Sequence, residues 1–141
     1  MKWEDCKEEM VKEVAPNKER AKSLSKMAER RLKFIQGKRS SKEVEFIVEG
    51  YYETIKELIT ALLSIKGYKS YSHECLVLFL AKFYKEFESD EIELIDQLRR
   101  IRNDIMYRGE SVALDYLNRK EDKIKSLINK LSELAEEELE K

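Results

Sequence analysis

The stretch Val44-Glu-Phe-Ile-Val-Glu-Gly-Tyr-Tyr-Glu-Thr-Ile-Lys-Glu-Leu-Ile-Thr-Ala-Leu-Leu-Ser-Ile-Lys-Gly67 decides the fold class. Val44, Ile47, Val48, Tyr51, Ile55, Leu58, Ile59 and Leu62 recur three or four apart, the spacing of one face of an α-helix. Ser40-Ser-Lys-Glu43 ahead of it matches a capping box, and Gly67 behind it is a stop signal. A helix with so long an apolar stripe needs other helices to cover it.

The rest of the chain supplies them. Trp3, Cys6, Met10 and Val14 predict a short N-terminal helix over 2–14, closed by Pro16. Asn17 is the expected cap of a helix carrying Leu24, Met27, Ala28, Leu32 and Ile35 to Gly37. After the turn 67–72, Ser72 is the expected cap of a helix that is apolar on every side from Cys75 to Ala81 and should be the most buried one. Asp90 with Glu93 reads as the start of the next helix, which ends at Gly109. Ser111 is the expected cap of the last helix, along Val112, Tyr116, Ile124, Leu127, Leu131 and Leu134. An acidic tail over 135–141 should fray. The pattern predicts an all-α, antiparallel up-and-down bundle of about five helices, formed by one domain over 1–141, with no β-hairpin signal.

With 141 residues, four glycines, one proline and 40% charged side chains, the composition suits amphipathic helices. The longest apolar run, Cys75–Ala81, is far short of a membrane span, and the acidic N-terminus is unlike a signal peptide, so a cytoplasmic protein is expected. Cys6 and Cys75 look too few and too distant for a disulfide framework or a zinc site and read as small core residues. Abundant Lys and Glu with two Gln match a thermophile's composition. Residues 18–42 carry ten Lys/Arg against Glu19 and Glu29, a net of +8, while Glu86–Asp96 holds six acids and no base. The basic segment either meets a polyanion such as RNA or faces the chain's own acidic helices and solvent.

No P-loop or nucleophile elbow is present, and one histidine without a core-facing acidic cluster gives no metal site and no cofactor site. The best lead is Arg102. It falls inside the apolar arc of Leu94, Ile95, Leu98, Ile101 and Ile105, where an unpaired guanidinium is costly. It therefore has a partner, or the arc opens onto a cleft or a second subunit. Arg100, Asp104 and Arg108 should form an exposed ion-pair stripe, and Arg99, Asn103 and Tyr107 form another row. Arg102 and Tyr107 lie about 140° apart on a regular helix, so they meet only if the helix loosens or two subunits contribute. His73, at a helix start, is either a histidine packed at the mouth of the core or a proton carrier.

Arg102-Asn-Asp-Ile-Met-Tyr107, late in a helix of a small bundle, resembles the motif of the HEPN superfamily (higher eukaryote and prokaryote nucleotide-binding domains). That motif is Arg, a polar residue, three variable residues and His. The turn Gly67–Glu74 looks like archaeal members, and the resemblance spans roughly residues 17–135. It implies a homodimer whose two motifs line one cleft, and a metal-independent ribonuclease or toxin paired with a small nucleotidyltransferase. Arg102 and Asn103 match the phosphate-steadying and orienting positions, while Tyr107 stands where the family has its proton-moving histidine. A phenol titrates near 10 against roughly 6.5 for imidazole, which makes it a poor base at neutral pH. The expected role is therefore binding of a nucleotide or RNA phosphate by Arg102, Asn103 and Tyr107. Metal-independent RNA cleavage and a purely structural adaptor are the alternatives.

Overall fold

In the computed structural model, which describes residues 1–38 and 42–141, the stripe of Val44–Lys66 forms the central helix. In chain order the elements are α1 (Trp3–Glu9), β1 (Val11–Glu13), α2 (Lys18–Ile35), α3 (Val44–Lys66), β2 (Tyr68–Ser70), α4 (His73–Phe83), α5 (Ser89–Arg108) and α6 (Leu114–Glu140). The described residues are thus a mostly helical bundle with six helices rather than about five, and one two-stranded antiparallel sheet. Fourteen of the 23 residues of α3 are buried, against five of eleven in α4. The central helix is therefore α3, whose stripe α2, α5 and α6 all cover. The capping box at Ser40–Glu43 lies partly outside the described residues.

The neighbours of α3 do not simply alternate in direction. Asn17 meets Ser64 and Ile35 meets Gly50, so α2 runs antiparallel to α3. That approach needs a glycine, because a Cβ on Gly50 would lie 2.8 Å from Ile35 Cγ2. Tyr52 faces His73, and Lys66 sits over the Phe83 ring, so α4 runs parallel to α3. Glu45 bonds Val112 and Tyr51 bonds Glu121, which makes α6 parallel as well. Gln97 with Tyr116 and Glu91 with Lys130 set α5 antiparallel to α6. The antiparallel alternation expected from short connections fails between α3 and α4, because the intervening residues are extended. β2 carries the chain back along α3 before α4 starts.

β2 is held by the N-terminal segment, where the sequence reading needs correction. The helix expected over 2–14 stops at Glu9, and Val11, Lys12 and Glu13 pair with Ser70, Lys69 and Tyr68. The partner strand is remote in sequence, so no hairpin turn announces it. Met10 and Val14 are exposed instead of facing the core. Trp3 packs edge-on against Tyr68, Phe79 and Phe83, a geometry that favours aromatic clusters. Cys6 and Cys75 are joined by a disulfide, with Cα atoms 5.8 Å apart across a sequence separation of 69. Their distance in sequence argues against pairing, but strand pairing and the Trp3 contacts to Phe79 and Phe83 lay α1 along α4, with Cys6 at its first turn.

Other local expectations divide. Asn17 and Ser72 cap α2 and α4 by accepting from Arg20 N and Cys75 N, and Gly67 and Gly109 end α3 and α5 in left-handed geometry. At Gly67 a Cβ would also strike Val14 O at 2.7 Å. The α5 start is two residues earlier than expected, with Glu88 and Glu91 forming the box. The α6 start follows Ala113 rather than Ser111, because Glu45 of α3 accepts from Val112 N. The acidic tail stays helical to Glu140, tied down by Tyr84 donating to Glu138 and by Lys18 donating to the Lys141 carbonyl.

Because the disulfide closes a loop of this length, its reduction should destabilise the fold by about 4 kcal/mol in the chain-entropy account. For a chain of 141 residues that lowers Tm by roughly 13 °C. Thermal melts with and without reductant, and of Cys6→Ser, measure the effect.

Candidate functional site

Arg102 projects from α5 into a polar cluster between α3, α4 and α5. Its side chain is only 13% exposed, and its Nε lies 3.3 Å from Glu53 Oε1, whose side chain is 18% exposed. The buried Nε–H nevertheless has no hydrogen-bond acceptor. The pair is in Coulombic reach, but its geometry lacks the directed fork–fork contact that makes Arg–carboxylate pairs strong. Arg102 Nη1 donates weakly to Asn103 Oδ1 at 3.4 Å. The same Glu53 accepts Lys56 Nζ at 2.6 Å on its other oxygen. One carboxylate therefore serves two cations.

Next along α5, Asp96 accepts from both Arg99 and Arg100. Partial burial raises the Asp96 pKa, but these hydrogen bonds and charges outweigh it and hold the carboxyl below its ordinary value. Arg100 is thus taken by Asp96 on its N-terminal side, and only Arg108 with Asp104, at 3.9 Å, remains of the expected outer stripe. Around Glu53 and Asp96 the cluster carries more guanidinium and ammonium groups than carboxylates. Such an excess is unfavourable for folding and favourable for an arriving anion.

His73 is the first residue of α4 and sits 5.9 Å, ring to ring, from Tyr52. Desolvation, followed by the charges of Lys56 and Arg102, lowers its pKa from the usual 6.5. Burial, and then the Glu53 charge, pushes the Tyr52 phenol up. The histidine is therefore neutral at pH 7 and able to accept a proton. It borders a cleft of about 380 Å3 that also receives Glu53 and Lys56. A larger groove of about 640 Å3 between α5 and α6 contains none of the candidate residues.

Tyr107 does not join this cluster within one chain. The α5 helix stays regular to Arg108, and Tyr107 is 76% exposed. The loosening that would turn it toward Arg102 is absent, and only a second molecule can bring a Tyr107 phenol to that arginine. Arg102, Asn103 and His73 are thus gathered on one side, with Tyr107 left outside. Glu53 and Lys56 carry no signal of their own in the sequence, and Arg99 stands there only as one member of the row with Asn103 and Tyr107. The first two are an acid and a base three apart beside an apolar stripe, a pattern shared by most exposed ion pairs.

No family pattern, curated protein or solved structure matches this chain. Among the described residues no group of three or more His, Cys, Asp or Glu is placed to hold a metal ion, and no helix is long and apolar enough to cross a membrane.

The His73 environment gives a pH dependence with a defined sign. Its pKa is lower in the folded chain, so just below pH 6.5 the unfolded chain binds more protons. Stability should fall as pH drops from about 6.5 through the lowered value, then level off with respect to this group. Urea titrations between neutral and mildly acid pH should show a smaller loss for His73→Gln than for the parent chain.

Proposed function

We propose that this chain is a HEPN-like helical module that binds the phosphate of a nucleotide or RNA at the Arg102 cluster, and that it works as a homodimer beside a separate nucleotidyltransferase. The observation that carries the reading is the sharing of Glu53 by Arg102 and Lys56, with a buried guanidinium N–H left without an acceptor. A phosphate oxygen supplies that acceptor and the missing negative charge. Asn103 beside Arg102 fits an orienting role. Met106 and Tyr107, both exposed near the end of α5, fit a face that a second copy covers, which would carry a partner's phenol toward the site. A buried disulfide together with a Lys- and Glu-rich composition fits an intracellular protein of a thermophile.

Metal-independent RNA cleavage is the second reading, favoured by a neutral His73 near Lys56 and Arg102. An imidazole in that state is a general base where Tyr107 is not. The structural reading, in which Arg102 exists only to pair with Glu53, makes a different prediction for the same variant.

Titration of a fluorescent ATP analogue at fixed salt decides between binding and scaffold. Arg102→Ala should weaken binding at least tenfold, the loss of one charge-assisted contact of about 1.5–3 kcal/mol. Glu53→Gln should strengthen it while lowering Tm. A variant Arg102→Ala that melts earlier yet binds unchanged would leave the arginine a purely structural role. RNA cleavage in EDTA that disappears with His73→Gln would establish the nuclease reading.

A further inference from the structure

On the far side of Glu53 lies the cleft that His73 borders. α2 forms one wall through Arg20, Leu24 and Arg31, α3 forms the floor through Lys56, Glu57 and Thr60, and β2 forms the other wall through Lys69 and Ser70. Four cations line it against the carboxylates of Glu53 and Glu57. Arg31 donates through Nε to Glu57 at 2.6 Å, and Lys56 bonds Glu53 at 2.6 Å. These contacts fix the two side chains in place, and Arg31 keeps its terminal N–H groups for another acceptor. Arg20 and Lys69 have no carboxylate partner among the described residues. The cleft is therefore a cationic trough whose charges are partly pre-positioned and partly uncommitted.

Two exposed aromatic rings neighbour its lining residues along the chain, Phe34 three residues after Arg31 on α2 and Tyr71 between Ser70 and Ser72. Phe34 is 72% exposed with the Lys38 ammonium 4.8 Å from its ring centre, and Tyr71 is 63% exposed with Lys69 at 5.4 Å. Arg20 and Phe34 are fourteen residues apart on α2, four turns that return to nearly the same face and span about 21 Å. Exposed apolar rings beside cations cost solubility and do nothing for the core. A ligand of alternating anionic and π-faced groups uses both. A mononucleotide is too short to reach from Arg20 to Phe34, and a duplex hides its base faces.

We propose that this cleft binds a single-stranded nucleic acid, with phosphates on Arg20, Arg31, Lys56 and Lys69 and bases stacked on Phe34 and Tyr71. RNA and DNA strands share this chemistry. The inference takes its ligand class from the phosphate-binding reading above, but its distinguishing residues lie outside the Arg102 cluster.

Fluorescence anisotropy with labelled oligouridylate and oligothymidylate of about twelve nucleotides, from roughly 50 to 200 mM salt, tests it. The doubly substituted Arg20→Glu, Lys69→Glu chain should bind at least tenfold more weakly. Its salt dependence should be shallower by about 1.4 in log–log slope, the value for two lost phosphate contacts. Phe34→Ala with Tyr71→Ala should weaken binding about tenfold or more with the slope unchanged. All four positions are on the surface, and matching melting curves confirm intact folds. Binding of both oligomers, or of the RNA alone, supports the cleft and identifies the strand it takes. Strand binding that survives both double variants and is lost only in Arg102→Ala overturns the cleft while sustaining the phosphate site. Displacement by polyglutamate as effective as by RNA at equal charge overturns it in favour of an acidic polypeptide. Failure of the unaltered chain to bind either oligomer overturns it too, while the ATP titration of Arg102 judges the other reading separately.

Discussion

The architecture depends on a constraint of chain length. Only residues 67–72 separate α3 from α4, yet His73 must lie beside Tyr52 rather than beside Lys66. From Lys66 back to Tyr52 is about 21 Å along the helix axis, and seven virtual bonds reach about 23 Å when extended. The connection has almost no slack. It must turn sharply at Gly67 and run straight, so β2 is extended because it has no alternative. An extended segment on a helical bundle exposes unpaired backbone groups. β1 satisfies part of that need by pairing along it, and Val14 N donates to Gly67 O at the corner. The N-terminal segment is thus the clamp on the return strand, and the disulfide and Trp3 fasten the clamp to α4.

This constraint also makes the two candidate surfaces. Because β2 stands off α2, a cleft opens above the middle of α3. Because α4 begins there, a helix start, a histidine and the polar flank of α3 converge. The Glu53–Lys56 pair and the Glu57–Arg31 pair lie on the part of α3 that neither α2 nor β2 fully covers. Had the connection been a tight turn, α4 would have packed antiparallel to α3 and His73 would have sat beside Lys66. The local sequence would look the same in either case.

That explains which features were legible from residues alone. The stripe of α3, the caps at Asn17 and Ser72, and the stops at Gly67 and Gly109 are local, and each could be read in place. Arg102 could be flagged because its misfit is visible against its own helix. Its partner could not, because Glu53 is one of many acids beside an apolar stripe and only the packing of α5 on α3 selects it. β1 and the Cys6–Cys75 bridge leave no local signal for the same reason. Three residues of strand carry no periodicity, and the partners of both features lie nearly half the chain away. What sequence patterns miss here is long-range pairing enforced by the short return segment.

The shared carboxylate links the two surfaces. Glu53 faces Arg102 on one oxygen and Lys56 on the other, and Lys56 also lines the cleft. An anion that draws Lys56 into the cleft leaves Glu53 to Arg102 alone, which strengthens that ion pair and makes the guanidinium a weaker site for a second anion. An anion on Arg102 instead frees Glu53 to hold Lys56 more tightly, withdrawing it from the cleft. Each event opposes the other through one side chain, and linkage requires the two effects to be equal in free energy. Protonation of His73 acts on the same balance, because its charge would add to Lys56 and Arg102 in one low-dielectric corner. The acceptor-less guanidinium N–H and the doubly engaged glutamate belong to one arrangement, an excess of positive charge gathered where α4 begins, and that charge adds to the desolvation that lowers the His73 pKa.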